Sequence, residues 1–189
     1  ESSSALGDVD GDGDLDLIAG GSGGGSWNNF RLYANPGTGA FSGYTTFGSG
    51  SYNGAITAAD LNGDGAVDLV INGWRSGVQV LEKFINNGDG TFASAVAFGT
   101  ATAEGSIAAG DIDGDWDIDL IVSGWASGGN RLDRYVNDGT GSFSANSFGT
   151  VTVRGSTSLG DLDNDGDVDL IVAGESASPT RYLNDGAGF

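Results

Sequence analysis

Between Asp161 and Asp169 the sequence DLDNDGDVD sets five aspartates in nine positions and then runs into the apolar stretch LIVAG. Carboxylates at that density repel one another, and the repulsion grows where the next segment enters an interior of lower dielectric. Either water solvates the cluster fully or a cation sits in it. The cluster recurs as DVDGDGDLD from Asp8, DLNGDGAVD from Asp60 and DIDGDWDID from Asp111. The common pattern is D-x-[DN]-x-D-[GW]-x-x-D. Positions one, three, five and nine offer hard oxygen donors, which suit Ca²⁺. They are Asp8, Asp10, Asp12 and Asp16; Asp60, Asn62, Asp64 and Asp68; Asp111, Asp113, Asp115 and Asp119; and Asp161, Asp163, Asp165 and Asp169. Glycine at position six lets the backbone fold tightly around an ion. Scattered solvated acids have no reason to repeat a liganding spacing four times.

Two loops depart from the pattern. Asn62 removes a charge from the second and should weaken it. Trp116 replaces the position-six glycine of the third, where a positive φ would strain a bulky residue. Other calcium loops fail. An EF-hand needs Glu at position twelve, which holds Ala19, Ile71, Val122 and Val172. A nonapeptide β-roll needs a nine-residue period, which is missing.

Catalysis is not expected. The chain has no His or Cys to activate a serine. Most acids already belong to the four clusters, and Glu82, Glu104, Asp133 and Glu175 are scattered across the repeats. The GGSGGGS stretch at 20–26 lacks the Lys and helix of a phosphate loop and reads as a flexible loop.

The elements that position the clusters repeat with them. First aspartates lie at 8, 60, 111 and 161, so the period is 50 to 52 residues. Before each cluster stands a small-residue segment such as GSIAAG, and after it an apolar run such as LIVSG. Then come RLYAN, LEKFIN, DRYVN or TRYLN, an Asn/Gly-rich turn ending in Phe, and an FG pair at Phe47, Phe98 and Phe148. No helical period is present. The reading is all-β, with four short antiparallel strands per repeat joined through the turn as a hairpin. Four strands in about 50 residues match a β-propeller blade. One repeat domain is predicted over 1–189, with blades at 1–52, 53–103, 104–153 and 154–189. The small-residue strand fits the crowded innermost position.

Composition agrees. Thirty-six of 189 residues are glycine and two are proline, while 38% are hydrophobic in short, regular runs. The net charge of −19 disfavours nucleic acid and anionic lipid and favours divalent cations. No apolar run reaches the length of a membrane helix and no signal peptide is visible, so membrane insertion is not expected. The start at Glu1 rather than Met suggests a processed or excised piece.

D-x-D-x-D-G-x-x-D between two strands, recurring every 50 residues or so with an FG pair, resembles the FG-GAP repeats of integrin α-subunit propellers. It resembles still more closely the VCBS repeats of secreted bacterial proteins. The resemblance covers essentially the whole chain. It implies calcium at up to four sites, one per repeat. It also implies that position seven binds through its backbone carbonyl, which adds Asp14, Ala66, Asp117 and Asp167. Four Ca²⁺ would take the net charge from −19 to −11. At a Kd of ~0.1 mM and ~1 mM calcium, each site would add roughly 1.4 kcal/mol. Such weak sites fill outside cells, so an extracellular or cell-surface location is expected.

Trp74 and Trp125 hold one position in their repeats, on the rim opposite the acidic loops, where Ser22 and Glu175 stand in the other two. They either stack on a sugar ring or partner side chain or cover the edge between blades, and packing is the favoured reading. Lys83, Arg134 and Arg181 also align and should pair with nearby acids. The stretch from Ser144 to Arg154 has no counterpart after Phe189, so the last blade should lack its outer strand. That edge invites a neighbouring protein or another copy, as part of a larger ring or filament. The expected function is a calcium-stabilised extracellular structural or adhesion module. The alternatives are a lectin-like, glycan-binding propeller and a non-catalytic part of a secreted polysaccharide-degrading enzyme.

Overall fold

The apolar run after each acidic loop builds a strand buried on both faces, and the rest of each repeat forms around it. The computed structural model describes residues 2–21, 29–149, 154–175 and 177–189. These form four antiparallel sheets, each drawn from one repeat. Blade one contains β1 (Ser2–Gly7), β2 (Asp16–Gly21), β3 (Phe30–Tyr33) and β4 (Thr45–Phe47). Blade two contains β5 (Ile56–Ala59), β6 (Asp68–Arg75), β7 (Val78–Phe84) and β8 (Val96–Thr102). Blade three contains β9 (Ile107–Gly110), β10 (Asp119–Ala126), β11 (Gly129–Asn137) and β12 (Phe143–Gly149). Blade four has three strands, β13 (Ser156–Gly160), β14 (Asp169–Gly174) and β15 (Ala177–Tyr182). In every blade the strands lie side by side in chain order.

The second strand of each blade carries the register. Leu69 pairs with Ala58 on one side and Phe84 on the other, and Leu120 pairs with Ala109 and Tyr135 in the same way. Leu69, Val70, Ile71, Leu120, Ile121 and Val122 are all buried. Alternate side chains therefore point to opposite neighbours, so an unbroken apolar run replaces the usual in-out alternation.

No blade has a core of its own. Among the described residues the core falls into three clusters, each shared by two adjacent blades. Ile18 and Phe30 of blade one meet Leu69, Ile71 and Phe84 of blade two. Val70 and Leu81 of blade two meet Leu120, Val122 and Tyr135 of blade three. Ile121 and Leu132 of blade three meet Leu170 and Val172 of blade four. The inner strands pack in sequence, β1 on β5, β5 on β9 and β9 on β13. Among the described residues no comparable packing joins β13 to β1, so the four blades form an open row.

The FG pairs lock each junction. Phe47, Phe98 and Phe148 place their rings 5.6, 5.5 and 5.5 Å from Phe84, Tyr135 and Tyr182 of the following blade, all edge-on. Phe47 lies 4.6 Å from Phe92, and Phe98 lies 5.0 Å from Phe143. The glycine of the pair leaves room for this contact. At Gly99, with φ of +61°, a Cβ would fall on the Tyr135 ring. The Tyr135 hydroxyl accepts a hydrogen bond from the Thr100 N–H at 2.8 Å.

Candidate metal centre

Each acidic loop joins the first and second strands of a blade, and two of its carboxylates shape it through backbone hydrogen bonds. The position-one acid takes the N–H groups of positions four and six, and Asp60 and Asp111 each take a third, from Asn62 and Asp115. Asp8 accepts from Gly11 at 2.9 Å and Gly13 at 3.0 Å. Asp60 accepts from Gly63 and Gly65, Asp111 from Gly114 and Trp116, and Asp161 from Asn164 and Gly166. The donors at positions four and six all have positive φ. Position four holds glycine three times and Asn164, at φ of 65°, once. Asn is a residue that visits this region readily. Position six holds glycine three times and Trp116, at φ of 74°. The strain expected at Trp116 is therefore present. Its ring is 90% exposed and nothing in the core holds it.

The position-nine acid works on a larger scale. Asp16, Asp68, Asp119 and Asp169 are fully buried. One oxygen of each accepts the position-two N–H of its own loop, from Val9, Leu61, Ile112 and Leu162 at 2.8 to 3.1 Å. The other accepts the N–H of the Asn at or two residues past the end of the third strand, namely Asn35, Asn86, Asn137 and Asn184 at 2.7 to 2.8 Å. One carboxylate thus ties the loop to the turn of its blade.

Those asparagines are functional residues that the spacing of acids does not reveal. Asn137 donates through Nδ2 to Ile118 O at 3.0 Å within its own blade and to Leu61 O at 2.8 Å in the blade before it. Asn86 makes the same pair of bonds to Val67 O and Val9 O, and Asn184 to Val168 O and Ile112 O. The acceptor in the preceding blade is always the position-two carbonyl of its acidic loop. Each junction therefore clamps one acidic loop to the next blade. The visible signal was the invariant Asn closing YAN, FIN, YVN and YLN.

Three of the loops gather acids into triads whose ligand atoms all lie within 4.8 Å of one another. They are Asp8, Asp10 and Asp16; Asp111, Asp113 and Asp115; and Asp161, Asp163 and Asp169. Loop two forms no such triad among the described residues. There the Asn62 amide donates to Asp64 at 2.8 Å and takes up one of the remaining carboxylates. Asp12 and Asp165 stand outside their triads and accept the N–H two residues on, from Asp14 and Asp167. The side chains of Asp14, Asp117 and Asp167 turn away to lie against Gly37, Gly139 and Gly186 of the hairpin turn.

The electrostatics follow this division. At position three, partial desolvation and then neighbouring carboxylates raise Asp10, Asp113 and Asp163 above the ordinary carboxylate range. Burial raises Asp68 and pushes Asp119 up to about 6. In loop two the Ala66 N–H and the Asn62 amide hold Asp64 low instead. Asp113 Oδ1 is buried and has no hydrogen-bond partner among the described residues, although its triad sits around it. A hard cation suits this donor set. Such an ion would supply the missing partner and offset the repulsion that raises the position-three acids.

Several charged residues outside the loops pair with neighbouring side chains or backbone. Arg75 forms a bidentate pair with Glu82, and Arg131 one with Asp133. Lys83 departs from its expected acid partner. It donates to the carbonyl of Gly141 in the next blade's turn, with the Phe143 ring 5.7 Å away. Trp74 and Trp125 stack on each other across blades two and three, with centroids 5.8 Å apart and planes 28° from parallel. Their backbones bridge to Tyr52 and Ala103. Ser22 and most of the glycine stretch at 20–26 lie outside the described residues.

A family model of FG-GAP-like repeats matches residues 8–71 and 111–172. Each match begins on the first aspartate of a loop and spans two loops, so the two matches together take in all four. No curated protein matches the chain.

Proposed function

Since this chain belongs to the FG-GAP-like repeat family, we propose that it is a calcium-stabilised module of an extracellular protein, structural or adhesive rather than catalytic. The observation that carries this reading is that loops one, three and four each gather an acid triad with ligand atoms within 4.8 Å, from positions one, three and nine in loops one and four and from positions one, three and five in loop three. The position-one and position-nine carboxylates also fold the loop backbone through their hydrogen bonds. The ion adds charge neutralisation where repulsion is greatest. Because the position-two carbonyl of each of the first three loops also anchors the next blade's Asn, ordering a loop stiffens a blade junction. Weak sites of this class fill at the calcium levels found outside cells, which is the support for an extracellular setting. No helix among the described residues is long and apolar enough to cross a membrane.

Terbium titration tests the metal directly. Trp116 sits inside loop three and should sensitise terbium luminescence there, and calcium should quench the signal by displacement. Thermal melts in calcium and in excess chelator complete the test. Superimposable melts with no terbium signal would remove calcium from the account. A second reading, a glycan-binding propeller, rests on the Trp74–Trp125 stack, in which Trp125 keeps 37% of its surface exposed. A glycan array in calcium, repeated with both tryptophans changed to Ala, separates this reading from the first.

A further inference from the structure

At the second and third blade junctions a basic side chain reaches from one blade to the turn of the next. Lys83, three residues before Asn86, donates to Gly141 O in the turn of blade three, with the Phe143 ring 5.7 Å away. Arg134, three before Asn137, reaches the matching turn of blade four, where a Cβ at Gly188 would fall on its guanidinium. The counterpart at the junction of blades one and two is Leu32, three before Asn35. Leucine has no donor to offer the turn of blade two.

The frame around Leu32 is otherwise that of Lys83. A Cβ added to Gly141 would meet Lys83 Nζ at 3.6 Å and Asn62 Cβ at 3.8 Å. A Cβ added to Gly90, the counterpart of Gly141, would meet Leu32 Cδ2 at 4.0 Å and Asp10 Cβ at 3.3 Å. Phe92 stands where Phe143 does. Each of these rings lies against the FG phenylalanine of the blade before, Phe47 at 4.6 Å and Phe98 at 5.0 Å.

A groove of about 650 Å³ opens at this place, between blades one and two. It is lined by Asp10 and Asp89, by Thr45, Thr46 and Thr91, and by Phe92, with no Lys or Arg among the described residues that line it. Asp89 accepts the Thr91 N–H at 3.0 Å, and the Thr91 hydroxyl and N–H hold its carboxyl below the ordinary range, so it is ionised at neutral pH. Two carboxylates beside apolar walls, in a chain of net charge −19, favour a cation. The volume exceeds what a bare ammonium fills and lies in the range of sites that enclose larger organic groups. An aromatic ring at one wall suits a cationic head and its aliphatic stem alike.

We propose that this groove binds a lysine or arginine side chain of a partner protein, with the cationic head on Gly90 O and Asp89 and the stem along Leu32 and Phe92. The chain's own Lys83 on Gly141 O is the template for the contact. The inference stands apart from the metal reading, because Asp89 and Gly90 belong to a hairpin turn outside the acidic loops.

The test is a titration of isotope-labelled chain with N-acetyl-lysine methylamide, followed by the amide resonances. Those of Gly90, Thr91 and Thr46 should shift and saturate, while that of Gly141, already served by Lys83, should stay in place. N-acetyl-norleucine methylamide, which has a stem and no charge, should move none of them. Asp89→Asn keeps an acceptor for Thr91 and should weaken lysine binding roughly two- to fivefold, the scale of an exposed ion pair. Leu32→Lys copies Lys83 and should abolish the shifts by filling the groove from within. A short peptide with a central lysine should bind at least as tightly as the blocked residue, since the groove is open to flanking backbone. The titration is run in calcium and in chelator, and binding is expected in both. Silent resonances at Gly90 and Thr91, equal shifts from the norleucine compound, or undiminished binding by Asp89→Asn would overturn the proposal. A peptide that fails where the blocked residue binds would overturn a protein as the occupant. Shifts confined to chelator would mean that lysine merely replaces a metal in loop one, and would overturn the groove as a separate site.

Discussion

Replacing Asn137 by Ala isolates the clamp between blades two and three. Its side chain makes three bonds: Nδ2 to Leu61 O at 2.8 Å, Nδ2 to Ile118 O at 3.0 Å, and Oδ1 from Gly141 N at 3.0 Å. The residue is 3% exposed, so water does not replace what is lost. At about 0.5–1.5 kcal/mol net per bond, the substitution should destabilise the chain by roughly 2–4 kcal/mol. Against a domain stability of about 5–15 kcal/mol that is a large fraction. Asn35→Ala is the internal control. Asn35 bonds Leu15 O and Gly39 N at exposed positions and reaches no preceding blade, so its loss should amount to about 1 kcal/mol or less. Asn137→Asp keeps the acceptor but removes both donated bonds and faces two carbonyls with negative charge. It should be at least as damaging as Ala. Urea unfolding in saturating calcium reads the difference, with the slope checked for constancy. Equal losses for Asn35→Ala and Asn137→Ala would refute the clamp, because the cross-blade bond is what separates the two sites.

Three further outcomes follow from the loops. Asn62→Asp should give loop two the acid it lacks, adding calcium uptake in a calorimetric titration and lowering the melting temperature in chelator; an unchanged titration would exclude loop two as a site. Trp116→Gly should relieve a bulky residue at φ of 74° and raise stability by about 1 kcal/mol, read by urea unfolding. The pH response should change sign with calcium. In chelator Asp119 titrates near 6 when folded against its ordinary 3.8, so the folded state binds the extra proton and stability falls as pH rises from about 4 to 6.5. Asp10, Asp68, Asp113 and Asp163 shift in the same direction. In calcium, protons compete with the ion and stability falls as pH is lowered through that window. Slopes of equal sign in the two buffers would show that the triads hold no ion.

Much of this molecule was legible from local spacing. The nine-residue acidic pattern, the left-handed position six and the Asn/Gly turns act within about ten residues, where side chain and backbone meet whatever the rest of the chain does. The period of 50 to 52 residues and the doubly apolar second strand were enough for blades. Asn62 also marked loop two as the odd one, and there no acid triad gathers among the described residues, since an amide cannot supply a carboxylate.

What the tertiary structure alone decided is which surfaces face each other. The Asn clamps join residues 72 to 77 positions apart, a separation over which sequence spacing carries no geometric information. Position nine reads as a metal ligand, and only the burial of Asp16, Asp68, Asp119 and Asp169 shows that its two oxygens also hold backbone N–H groups and so tie the loop to its turn. Leu162 is an ordinary apolar residue in the sequence, like Val9, Leu61 and Ile112 at the same loop position, yet it is 43% exposed where they are 1% exposed. It differs in what stands beside it among the described residues, which no single residue encodes. A strand encodes the period of its side chains, but the blade standing beside it determines which of them reach water.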